Sequence, residues 1–198
     1  MQHPDSPRFI PAAPPGNLFE LMLRDLAALL DASRILRQFA LDLRPVCHAS
    51  SELTAALDRL IGVSDAGFPR LHPPLAAAGL PEPLGADPAT RALVTGFLAR
   101  LPLITPGVLA AEITVNLRLL IQHVELEVRL TAESALLLGQ KLVSRALLAW
   151  AAEWRATGRW VGSLSRHARV RAYIADVEDA GAPVAAAGCP SDFHPALA

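Results

Sequence analysis

Apolar positions recur with helical spacing through most of this chain. Between Asn17 and Pro45, Met22, Leu26, Leu29, Leu36 and Leu43 fall on one stripe. Arg24, Asp31 and Gln38 fall on another. Asn17 is a natural N-cap, Glu20 stands at the capping-box position and Pro45 is a natural stop. A short second helix is expected after Ser51, with Leu53, Leu57, Leu60 and Ile61 on one side and Gly62 as its end. A third begins at the cap and first-turn pair Asp87-Pro88 and is expected to bury Leu93, Val94, Phe97 and Leu101. Thr131 reads as another start, with Glu133 in the first turn and Gly158 as the end. Along that stretch Leu136, Gly139, Val143, Leu147, Trp150 and Trp154 share a face. A last helix is expected from Ser163 to Asp179, with Val170, Tyr173, Ile174 and Val177 apolar. Its charges run against the helix dipole, since Arg166, Arg169 and Arg171 precede Asp176, Glu178 and Asp179.

The segment Ile113–Leu130, "ITVNLRLLIQHVELEVRL", supports two readings. Ile-Thr-Val-Asn-Leu-Arg-Leu and Val-Glu-Leu-Glu-Val-Arg-Leu each alternate as a strand does, and β-branched residues suit a pleated surface. Yet the residues between them, Leu120 to His123, include no Gly, Pro, Asn or Asp to make a hairpin tip. Read as a helix, Ile113, Leu117, Leu120, Ile121, Val124 and Val128 form one broad apolar face. Val115, Leu119 and Leu126 form a narrower one behind it, which is the pattern of a central helix packed on two sides. Two polar stripes separate these faces. One holds Glu112, Asn116, His123 and Glu127, the other Arg118, Gln122, Glu125 and Arg129. The helix is preferred, and the fold expected is an all-α, single-domain bundle of about five or six helices. A mostly α fold with a small β-hairpin at 113–130 is the alternative.

Proline marks the boundaries. Residues 1–16 hold five prolines and read as a disordered tail, 17–180 as the helical domain and 181–198 as a flexible tail. Pro is dense again between Pro69 and Pro88, which reads as a long loop, and absent from Gly107 to Ala182.

Composition changes this picture little. The 198 residues are 52% hydrophobic and 19% charged, a globular rather than a disordered balance. A net charge of −1 gives no overall pull toward nucleic acid, which is not expected as a partner. A mean hydropathy of +0.33 leaves apolar surface for a partner. The longest uncharged stretches, such as "LHPPLAAAGLP", carry Pro or Gly and are far short of the ~20 apolar residues a membrane span needs, so no transmembrane segment is expected. The start "MQHPDSPRF" does not read as a signal peptide, and a cytoplasmic location is expected. Cys47 and Cys189 fall in no C-x-x-C pair and read as unpaired thiols. Arginine supplies all the basic residues but Lys141, which reads as a high-GC coding bias.

Three groups of residues bear on chemistry. His123 and Glu127, four apart, form a possible polar site if the segment is helical, or simply part of a polar stripe. Glu112 and Glu127 then lie about 22 Å apart, too far to share one centre. The richest stretch is residues 150–174, where Trp154, Arg155, Arg159, Trp160, Arg166, His167, Arg169 and Arg171 are candidates for binding a protein partner or an anion. The bland reading, buried tryptophans beneath a solvated arginine face, fits the same residues. Ser163, Ser165 and His167 lie close in sequence but in no G-x-S-x-G elbow. There is also no P-loop and no dinucleotide-binding glycine pattern, so no catalytic residue, metal or cofactor is assigned. The function expected is a non-enzymatic accessory, adaptor or assembly protein acting through its helices on a protein partner or on itself as a homo-oligomer. The alternatives are a regulatory domain holding a small apolar or anionic ligand, and an amphipathic protein coating a lipid or other hydrophobic surface.

Overall fold

The computed structural model describes residues 16–179 apart from Glu82 and Leu84, and every element among them is helical. The expectations for the Pro-rich start and for 181–198 lie outside these residues, Gly16 excepted. Six α-helices follow one another: α1 (Leu18–Cys47), α2 (Ser51–Asp65), α3 (Gly67–Ala77), α4 (Pro88–Arg100), α5 (Pro106–Leu137) and α6 (Lys141–Asp179). A single 3-10 turn, Leu101–Leu103, joins α4 to α5. The all-α bundle is therefore the observed fold, and the hairpin alternative at 113–130 is not. Ile113, Leu117, Leu120, Ile121, Val124 and Val128 are all buried on one side of α5. Burial of a large apolar side chain is worth roughly 1.5–3 kcal/mol, and the repeat places six on one face, so the helical period wins over the local alternation.

The helix starts follow their sequence signals closely. Asn17 accepts the Glu20 backbone N–H at 2.9 Å, and the Glu20 carboxylate accepts the Gly16 N–H at 2.7 Å. Asp87 accepts from the backbone of Ala89 and Thr90, ahead of Pro88 in the first turn of α4. The cap of α2 is Ser50, whose Oγ accepts from Leu53, one residue earlier than expected.

The helix ends differ more. α1 runs past Pro45 to Cys47, and α2 runs past Gly62 to Asp65. The Pro-rich stretch after Pro69 is not all loop, because α3 carries Pro73 and Pro74 in its interior. Thr131 is not a start: it lies inside α5, and its hydroxyl donates back to the Glu127 carbonyl at 2.8 Å. Gly158 does not end a helix either, and the two predicted C-terminal helices are one of 39 residues. That merger removes half of the dipole conflict: Arg166, Arg169 and Arg171 stand far from the N-terminus of α6, while Asp176, Glu178 and Asp179 still end it. In α4, Val94 and Phe97 are buried, whereas Leu93 is exposed and Leu101 only partly buried. Leu136 is exposed beside the α5–α6 turn.

The core lies where α1, α2, α3 and α4 pack against an antiparallel α5–α6 hairpin. Gly139, at φ +74°, lets the chain reverse after α5, and the Gln140 N–H closes the turn onto the Ala135 carbonyl at 2.8 Å. Phe39 of α1 meets Phe97 of α4 edge to face, with centroids 5.8 Å apart. Trp150 of α6 is wholly buried and donates its indole N–H to the Val63 carbonyl at the end of α2. Gly67 lies flat against that indole, so close that an added Cβ would fall 2.5 Å from a ring carbon.

Candidate functional site: the two flanks of α5

The outward side of α5 is framed by two clefts of opposite character. On one flank, α6 packs closely because it presents glycine. An added Cβ at Gly158 would lie 3.1 Å from Ile121, and one at Gly162 would lie 3.7 Å from the Arg118 side chain. These glycines, one turn apart, leave a groove of about 410 Å³ into which Arg118 lies down. Arg118, Gln122 and Glu125 line it from α5, and Arg155, Arg159 and Arg166 from α6. Arg155 is held by Glu125 at 2.8 Å. Among the described residues Arg118, Arg159 and Arg166 have no carboxylate within ion-pair distance. The groove therefore carries three uncompensated guanidiniums, each a planar fork suited to carboxylate or phosphate.

The remaining members of the predicted basic cluster disperse. Arg171 turns to the opposite side and pairs with Glu52 at 2.9 Å. His167 and Arg169 are exposed outside the groove. Trp154 is entirely buried beside Trp150, and its indole N–H has no partner among the described residues. Trp160 is half-buried, and the Arg59 guanidinium sits 5.7 Å from its ring centroid. Neither tryptophan reaches the groove. Sequence spacing identified Arg155, Arg159 and Arg166. It did not identify Arg118, because its partners sit on a helix some forty residues away.

On the other flank, α5 and α1 enclose a cleft of about 170 Å³. Here His123 and Glu127 do come together, with Asp25 and Asp87 also on the wall. Asp87 is committed to capping α4, and Asp25 accepts a hydrogen bond from Arg24 at 3.0 Å. Among the described residues no group of His, Cys, Asp and Glu side chains is placed to hold a metal ion. The wall of the cleft is thus acidic.

Between the clefts runs a line of exposed leucines. Leu119, Leu126 and Leu130 are 58%, 52% and 46% exposed, and Leu137 at the helix end is 78% exposed. At 3.6 residues per turn they deviate by only ~20° from a common line along the helix. The sequence pattern suggested a central helix packed on both apolar sides; instead the narrower side, with Leu119 and Leu126, faces outward. The signal was present in the steps of seven and four between these leucines, the spacing of a coiled-coil seam.

No helix among the described residues is long and apolar enough to cross a membrane. No known protein family, curated protein or solved structure matches the chain.

Proposed function

We propose that this is a non-enzymatic accessory or assembly protein that docks onto another protein surface through the outward side of α5. One observation carries the reading. A monomeric surface normally scatters its leucines, but here four of the exposed ones form a line along a helix of 32 residues, bordered by charge on both sides. Burying such a line against a second helix is the helix-in-groove or coiled-coil mode of recognition. The test is native mass spectrometry of the protein purified gently from its own source, beside a Leu119→Glu/Leu126→Glu variant. The expected wild-type mass is a multiple of 21.1 kDa or 21.1 kDa plus another protein, and the variant returns to the single chain. A wild type that carries no protein overturns the reading.

A second reading is favoured by the groove between α5 and α6. There Arg118, Arg159 and Arg166 converge over the glycines, as in a regulatory domain that holds a small anion. A wild-type chain carrying an extra few hundred daltons, lost on Arg118→Ala/Arg159→Ala, is the result that would favour it.

A further inference from the structure

We infer that the occupant of the leucine line is a second copy of this chain, with the two α5 helices side by side and parallel about a two-fold axis that runs along them. This rests on the docking role proposed above and adds the partner and the orientation. The argument is one of symmetry and charge. Beside Leu126 and Leu130 the leucine line divides the outward surface into two unlike sides. Glu127 projects about 80° to one side of it and Arg129 about 80° to the other, at ~100° of turn per residue. Neither has an ion-pair partner among the described residues. Arg159 of α6 stands on the Arg129 side without a carboxylate partner among the described residues, whereas Asp25 of α1 and Arg155 of α6 are already paired with Arg24 and Glu125.

Two-fold pairing of such a surface has two forms. An axis across the helices makes them antiparallel and sets acidic half against acidic half and basic against basic. An axis along the helices makes them parallel and sets each acidic half against the partner's basic half. Levels along the helix agree with the second form. Glu127 and Arg129, both without an ion-pair partner among the described residues, stand only about 3 Å apart along the helix axis. In the parallel pair Glu127 of one copy therefore meets Arg129 of the other at matching height, twice per dimer. Like charges brought face to face are disfavoured, so the Glu127/Arg129 asymmetry, which acts twice, selects the parallel form over the single like pair that this form creates at Glu133. The interface is isologous and closed, with Leu119, Leu126 and Leu130 each facing its own counterpart.

The experiment uses the full chain with Cys189→Ser, to remove the thiol outside the described helices, and adds Leu119→Cys or Leu130→Cys singly. Light scattering on the parent protein is expected to give twice 21.1 kDa. Under mild oxidation both single-cysteine variants are expected to form cross-linked dimers, because each cysteine faces its twin. In an antiparallel pair positions 119 and 130 cannot both meet their twins, since they lie about 16 Å apart along the helix. Cross-linking of one variant only, or of neither in a dimeric protein, overturns the parallel arrangement. A monomeric parent whose separate partner is lost on Leu119→Glu/Leu126→Glu overturns the second copy while leaving the docking role intact. Loss of neither dimer nor partner in that variant overturns both. A charge check guards against variants that misfold. Glu127→Arg is expected to weaken the dimer about tenfold, and Glu127→Arg/Arg129→Glu is expected to restore it.

Discussion

Two glycines separated by a few residues have opposite meanings here. Gly62 lies within α2, and an added Cβ there meets nothing within 4 Å. Gly67 opens α3, and an added Cβ there would overlap the buried indole of Trp150. Glycine inside a helix costs about 1 kcal/mol relative to alanine, through lost backbone entropy. Gly62→Ala is therefore expected to stabilise the protein by ~0.5–1 kcal/mol in urea unfolding. Gly67→Ala is expected to destabilise it by roughly 1–3 kcal/mol, because Trp150 cannot retreat without losing its bond to Val63. Equal effects at the two sites would mean that the indole is not packed as described. Sequence alone ranked Gly62 as a helix stop and gave Gly67 no role. The property that distinguishes them is a tryptophan some eighty residues away.

At the scale of elements, local chemistry made helix starts legible and helix ends poorly so. Asn17 and Asp87-Pro88 announce themselves because a cap is a short-range hydrogen bond between side chain and neighbouring backbone. Thr131 and Gly158 misled because the same residue types serve in helix interiors, one by bonding back to its own helix, the other by admitting a neighbour. α3 was hidden by its prolines. Pro69 falls in its first turn, where no backbone donor is needed, while Pro73 and Pro74 do forfeit donors. Buried Leu71 and Leu75 hold that helix against the core, so tertiary packing overrides propensity. The basic half of α6 was legible as a run of arginines, but its division into groove, ion pair and open surface depends on which helices flank it. The reversal at Gly139 is the element most open to test. At φ +74° an alanine is strained and nothing around it offsets the strain, so Gly139→Ala is expected to cost ~1 kcal/mol. A smaller loss in urea unfolding would mean that the α5–α6 turn tolerates another conformation.

Across the described residues, charge lies on the surface apart from the buried cap Asp87, and the interior is apolar but for hydroxyl side chains. The described ion pairs each involve a solvent-exposed arginine, apart from the partly covered Arg70–Glu153, and such pairs contribute only about 0–1 kcal/mol apiece. Cys47 is different, since it is buried where α1 ends against α2, and burial pushes its thiol above the ordinary value of 9.0. Its protonated form is the one the fold accepts. The unfolded chain ionises this thiol first as pH rises, so the folded state then holds the extra proton. The stability tied to Cys47 is therefore fully present below the unfolded thiol value and is lost as pH climbs through the raised folded one. Thermal midpoints are expected to fall as pH rises past the ordinary thiol value of 9.0, and Cys47→Ala is expected to lower the midpoint at neutral pH yet flatten that alkaline decline. An equally steep decline in the variant would place its cause elsewhere. The same burial makes Cys47 slow to alkylate in the folded protein, so a cysteine placed at Leu119 or Leu130 reports on the surface of α5 rather than on the core.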